Sequence, residues 1–223
     1  MATVTKSTVS NRFVLDGVSF KTYQSLRADL DRSGRHVRLA FDRGTLEIMS
    51  PISYEHERGS FLLSQLISAI SVGLRLPIVG AKSTTFARED LDGGVEPDEC
   101  FYIANEPRVR FAREINIPTD PPPDLAIEVD VSRSSLDKMS IYAALGVGEF
   151  WRLEDGKIHI FGLDEERAYR EVNASLSFPF LTRDEIDQWL TRRDLMDQTT
   201  WFVAILDWVR DEIAPRFDDQ AGR

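Results

Sequence analysis

Two acids stand two residues apart in PPPDLAIEVDVSRSSLDK, residues 121 to 138, in a stretch whose other positions read as a buried strand. Successive side chains on a strand alternate faces, so Ile127 and Val129 point one way while Glu128 and Asp130 point the other. Left unpaired beside a core, two such carboxylates would cost several kcal/mol or take up a proton. A divalent cation between them removes the conflict. A further acid, Asp98, opens a second strand in VEPDECFYI, where Pro97 fixes the approach. If the two strands are neighbours, Asp98 and Glu128 meet at one end and make a two-carboxylate seat for Mg²⁺, completed by waters and a carbonyl oxygen. Hydrolysis of a phosphodiester also needs an activated water, charge neutralisation and help for the leaving oxygen. Lys138, in the segment after the acidic strand, can reach back on its four-carbon stem as a movable positive charge.

The elements that must position these groups follow from periodicity. FKTYQSLRADL reads as a short helix through Phe20, Tyr23, Leu26 and Leu30, and HVRLAFDRGTLEIMS as a hairpin around DRG, closed by Pro51. From about Ser53 to Leu74 the pattern is helical. Stepping back along its buried stripe from Leu63 gives Gly59 and then His56, which places His56 at the helix start on the side facing the sheet. Short strands are expected near Pro77 to Val79, Thr84 to Arg88 and Asp98 to Ile103, with LDGG as punctuation. PTDPPP is a rigid approach to DLAIEVDV, and SRSSLDKMSIYAALG is a helix capped by a serine and stopped at Gly146. The strands GEFWRLE and KIHIFGL flank EDGK, AYREV adds another, and two helices near Thr182 to Leu190 and Asp194 to Ile213 close the chain. The order predicts an α/β fold with a mixed central sheet flanked by helices, an N-terminal hairpin and a helical C-terminal tail.

With 223 residues and 42% hydrophobic content, the chain can bury one sizeable core. We expect a disordered segment over residues 1–12, one domain over 13–192, and a helical extension over 193–223 packed on it. Acidic residues outnumber basic ones 37 to 27, a net charge of -10, so bulk electrostatics repels nucleic acid and a polyanion must be held by a local basic patch or a metal. The single cysteine, Cys100, excludes an intrachain disulfide. With no apolar run of about 18 residues and no apolar leader in MATVTKSTVSNR, the expected location is the cytoplasm.

Five ordered blocks, DRGTLEIMSPISYEHER, KSTTFAREDLDGGVEPDECFYIANE, EPDE, PPPDLAIEVDVSRSSLDK and IYAALGVGEFWRLEDGKIHIF, resemble the Uma-two-like family of restriction endonucleases in the PD-(D/E)XK nuclease superfamily. The likeness runs from about Arg35 to Phe161. It implies a restriction-endonuclease-like core, a divalent metal (Mg²⁺, with Mn²⁺ as a substitute) and hydrolysis of DNA. Carried over by position, Asp98 matches the aspartate of the PD half-motif and Glu128 the acid of the second half, which makes them the metal ligands. The superfamily's lysine stands two residues after that acid, where this chain has Asp130. Lys138 in the following helix is the match, leaving Asp130 as a third ligand or a partner of Lys138. His56 falls where related nucleases carry a glutamate or histidine facing the metal, although a helix-start histidine with a purely structural part fits the same position. Lys82, Ser83 and Thr84 form a block that the family's pattern sets beside the site, where ammonium and hydroxyl donors could hold a substrate phosphate.

Other cations available for a DNA backbone are Arg35, Arg38, Arg43, Arg88, Arg108, Arg110 and Arg113; most read as solvated surface charges. His36 and His159 sit in strand patterns away from the acids and read as structural, and the four tryptophans are at core-like spacings. No P-loop, HExxH or CxxC spacing is present, which argues against a P-loop nucleotidase, a zincin and a zinc ribbon. Two readings remain open at this level: a Mg²⁺-dependent DNA endonuclease acting as a homodimer, since double-strand cutting commonly uses two-fold-related sites, and a non-catalytic DNA- or protein-binding module on a nuclease fold. Asp98, Glu128 and Lys138 together favour the first. Asp130 and the negative net charge favour the second.

Overall fold

The computed structural model describes residues 12–34, 37–49, 53–117, 119–130 and 137–221. In chain order, strand β1 (Arg12–Leu15) and helix α1 (Phe20–Arg32) precede the hairpin of β2 (Arg38–Asp42) and β3 (Thr45–Met49). The long helix α2 (Tyr54–Leu74) leads to short strands β4 (Val79–Gly80), β5 (Phe86–Arg88) and β6 (Gly93–Val95), then to β7 (Glu99–Tyr102) and the single turn α3 (Glu106–Val109). Strand β8 (Leu125–Asp130), helix α4 (Lys138–Leu145) and strands β9 (Glu149–Glu154), β10 (Lys157–Leu163) and β11 (Tyr169–Val172) follow. Helices α5 (Arg183–Arg192), α6 (Gln198–Trp208) and α7 (Ala214–Ala221) end the chain, the last two joined through a π-helical turn at Val209–Ile213.

The strands form two sheets among the described residues. A mixed six-stranded sheet has the order β11-β10-β9-β8-β7-β4, with β8 and β9 parallel and the remaining pairs antiparallel. The hairpin does not extend this sheet: it joins β1, β6 and β5 in a five-stranded sheet of order β1-β3-β2-β6-β5. Both tight hairpins turn on a non-glycine and a glycine with positive φ, Arg43 (43°) with Gly44 (92°) and Asp155 (50°) with Gly156 (75°). That pair of conformations matches the twist of the flanking strands, which explains the short connections.

Alternation along β8 assigns each face its cover. Leu125, Ile127 and Val129 lie against Leu62, Leu66 and Ile67 of α2, and the same core takes in Trp189 of α5 and Trp201 and Ile205 of α6. On the opposite face Cys100, Ala126 and Phe150 meet Ile141, Tyr142 and Leu145 of α4 together with Ala40, Phe86 and Val95 of the five-stranded sheet. The central sheet is therefore flanked by helices, with a second sheet sharing one side. The outer face of that second sheet is closed by α1, where Phe20 and Tyr23 pack on Leu39, Phe41 and Leu46 and the Tyr23 ring stacks on Phe41 at 5.1 Å.

Asp137, rather than a serine, caps α4: its side chain accepts from the Met139 amide, and Gly146 ends the helix in the left-handed region at φ 87°. Ser132, Ser134 and Ser135 lie outside the described residues, as do Arg35, His36 and Pro51. Among the described residues no helix is long and apolar enough to cross a membrane.

Candidate active site

The antiparallel register of β7 and β8 pairs Glu99 with Ile127 and Cys100 with Ala126. One step further along the ladder, Asp98 stands across from Glu128, and its amide donates to the Ile127 carbonyl at 3.1 Å. Both acids are buried, Asp98 at 2% and Glu128 at 3% exposure, on the face that carries Ala126 and Cys100.

Each carboxylate has its own basic partner. Lys138, the first residue of α4, donates to Glu128 Oε2 at 2.6 Å, and Tyr142, one helical turn on, donates to Oε1 at 2.6 Å. Lys138 is itself buried, so this is a charge pair held away from solvent. Burial pushes the Tyr142 hydroxyl well above its ordinary value, and the neighbouring Glu128 charge acts in the same direction, so Tyr142 stays a donor. Asp98 Oδ2 accepts from the Val129 amide at 2.7 Å and faces His56 Nε2 at 3.0 Å. Asp98 Oδ1 ion-pairs with the guanidinium of Arg38.

His56 reaches this position because α2 crosses the sheet at Gly59, where an added Cβ would lie 3.0 Å from Leu153 Cδ2 and 3.2 Å from Val129 Cγ1. Ser53 caps the helix by accepting from the His56 amide, which fixes the first turn just beyond the sheet end. Burial, and secondarily the Arg38 charge, depress the His56 pKa from 6.5 to about 4 against the opposing pull of Glu57 and Glu128. The ring is neutral at neutral pH. With Nε2 on Asp98, Nδ1 is left buried without a hydrogen bond, 3.7 Å from Glu57 Oε1.

The other named residues are arranged less closely. Lys82 sits in the turn after β4 at φ 48°, largely exposed, with Nζ 3.7 Å from Glu99 Oε1, on the opposite side of β7 from Asp98. Glu99 also accepts from Ser60 at 2.8 Å, and burial raises its pKa. Ser83 is exposed, and the Thr84 hydroxyl is turned back onto the Ala81 carbonyl at 2.6 Å. A groove of about 290 Å³ beside them is lined by Tyr54, Arg58, Ser60, Phe61 and Lys82. The backbone of Asp130 pairs with Glu154, while its side chain lies outside the described residues. His159 is away from the acids and pairs with Glu171 at 2.9 Å.

Three residues enter the site's surroundings without having been singled out for them. The sequence offers Arg38 only as one of several cations for a DNA backbone and gives Tyr142 no part in the site. Glu47, fully buried, stands across from Ala40 on the side of β3 turned toward the six-stranded sheet. Its sequence signal was available: an acid between Leu46 and Ile48 in a short apolar strand.

Among the described residues no group of three or more His, Cys, Asp or Glu side chains is placed to hold an ion. What the geometry offers is two adjacent buried carboxylates, a lysine and an arginine on them, and a neutral imidazole against the first.

No curated protein matches the chain. Among solved structures it is similar to the crystal structure of a putative nuclease belonging to DUF820 from Anabaena variabilis, at 16% identity and a TM-score of 0.47, over 68% of this chain and 90% of that one. A family model described as "Putative restriction endonuclease", Uma2, matches residues 20–192, a span that holds both acids, Lys138, His56 and Arg38. The chain belongs to the Uma2 family.

Proposed function

We propose that this protein is a metal-dependent endonuclease that hydrolyses phosphodiester bonds of DNA in the cytoplasm, as a homodimer. The observation that carries the reading is the pairing of Asp98 and Glu128 on neighbouring strands with Lys138 at 2.6 Å from the second acid. The donor set fits a small hard cation: carboxylate oxygens from two neighbouring strands, one of them, Asp98 Oδ1, held by the Arg38 guanidinium. Asp98 and Glu128 would hold Mg²⁺, or Mn²⁺ in its place, with Asp130 as the third candidate ligand. Such an ion polarises a phosphoryl oxygen and lowers the pKa of water to supply the nucleophile.

The remaining work falls to the chain's own groups. Lys138, buried on Glu128, screens the phosphate and orients the attacking water through an ammonium with three donors. His56, neutral and with Nε2 on Asp98, helps to position that acid and the water beside it. Lys82, with Ser83 and Thr84 in the same turn, takes a phosphate of the flanking strand rather than the scissile one, since Lys82 lies beside Glu99 and not Asp98.

The alternative, a DNA- or protein-binding module without catalysis, draws on one observation: both Glu128 oxygens are already occupied, by Lys138 and Tyr142. Supercoiled plasmid incubated with Mg²⁺ or Mn²⁺ separates the two. Nicking that falls by about 10²-fold or more in Asp98→Ala and Lys138→Ala supports the enzyme. Equal nicking in both variants removes the mechanism, and DNA binding without cleavage by the native chain selects the module.

A further inference from the structure

We infer that Arg38 exchanges partners, holding Asp98 in the metal-free protein and the substrate phosphate once a divalent ion takes Asp98, so that metal and DNA bind cooperatively. This rests on the nuclease reading above and adds to it a cation that no comparison assigns.

The argument begins with charge. Asp98 and Glu128 contribute two negative charges, Arg38 and Lys138 two positive ones, and each acid is paired one to one. These two pairs are therefore balanced before any ion arrives. Adding a divalent cation brings two further positive charges into a largely buried site, where an unbalanced charge is costly. The negative charge of a phosphodiester offsets part of that addition. Bound metal thus raises the affinity for substrate, and by linkage bound substrate raises the affinity for metal by the same factor.

Of the two cations, Arg38 is the one placed to move. Lys138 is 9% exposed in its side chain and continues to face Glu128 from the helix that carries it, whereas the Arg38 side chain is 20% exposed. Arg38 belongs to β2 in the other sheet, so its fork enters the site from across the gap between the sheets. The acids next in line are engaged elsewhere, Glu96 by Thr85 at 2.9 Å and Glu99 by Ser60 at 2.8 Å. A guanidinium displaced from Asp98 then has a planar, bidentate match in phosphate oxygens, which an ammonium lacks.

The test uses the full-length chain with Ca²⁺, to keep cleavage off, and a fluorescent DNA duplex. Ca²⁺ affinity is measured by calorimetry and duplex affinity by anisotropy, each with and without the other ligand. In the native protein each ligand should tighten the other by a factor of about 5 to 150. Arg38→Gln should bind Ca²⁺ more tightly than the native chain in the absence of DNA, because a competing cation is gone, and should lose most of the coupling. Arg38→Lys, which keeps the charge without the fork, should hold native Ca²⁺ affinity and weaker coupling, and it serves if the glutamine variant fails to fold. Native-like coupling in either variant, or Ca²⁺ affinity unimproved in folded Arg38→Gln, overturns the inference. Asp98→Asn keeps the two claims apart: undiminished Ca²⁺ binding there sinks the nuclease reading itself, while lost binding there with a native-like Arg38→Gln sinks only the part given to Arg38.

Discussion

Glu128 is held by two donors that contribute differently, one charged and one neutral, and removing each has its own consequence. Lys138→Met leaves a buried carboxylate without its counter-charge, a change that costs about 3–5 kcal/mol. Tyr142→Phe removes one hydrogen bond to the same anion and should cost about 1.5–3 kcal/mol. Urea unfolding of both variants checks the order; a tyrosine variant as unstable as the lysine one would mean that the ion pair contributes nothing beyond a hydrogen bond. Asp98, Glu128 and Lys138 could be read in the sequence because strand alternation and helix spacing are local properties. The pairing of Arg38 with Asp98 could not, since Arg38 is one of many arginines in the chain and its partner lies sixty residues away beside another sheet. Tyr142 was hidden for a related reason: its ring is core and its hydroxyl is site, and periodicity sees only the ring.

At the level of elements, the position of α2 decides whether His56 meets Asp98. Gly59 lets the helix approach Val129 and Leu153, and a branched side chain there overpacks the contact. Gly59→Val should cost about 1–3 kcal/mol and reduce plasmid nicking as well, because the displaced turn carries His56 three residues earlier. Nicking at the native rate in a destabilised Gly59→Val chain would show that His56 need not be held. Helix α5 offers a pH-dependent counterpart. Burial works against ionised Glu185, but the Thr182 amide and hydroxyl and the Arg216 guanidinium outweigh it, and its pKa is lowered below the ordinary 4.5. A lowered folded-state value means stability that is present above the unfolded-state pKa and lost as pH falls through the folded one. The stability gap between the native chain and Glu185→Gln, measured in urea, should be full at pH 7 and close below about pH 4.5. Most elements were legible from periodicity, while β6 was read as punctuation because of its two glycines. Gly94 serves contact rather than turning: a Cβ there would sit 2.6 Å from Tyr23 Oη, so α1 can close the outer sheet only over a bare backbone. Strand β6 is also the one that joins the hairpin to β5 and so builds the second sheet.

For the molecule as a whole, the family match ends at residue 192 while the core does not. Trp201, Ile205, Val209 and Ile213 are each fully buried in the cluster that contains the α2 face and the β8 side chains Ile127 and Val129. Trp201 also donates its ring N–H to the Trp189 carbonyl at 2.8 Å and meets the Trp189 ring edge-on, which ties α6 to α5. Burial of such side chains stabilises by about 1.5–3 kcal/mol apiece, and four of them approach the entire stability of an ordinary domain, about 5–15 kcal/mol. Residues 1–192 alone should therefore fail to fold cooperatively, even though every named site residue is present. The check is a thermal melt followed by near-ultraviolet circular dichroism: the shortened chain should show no sharp transition and should bind a hydrophobic dye, and the full chain should show one transition. A single cooperative melt in the shortened chain would mean that α2 finds another cover, and that the site can be assembled without the C-terminal helices.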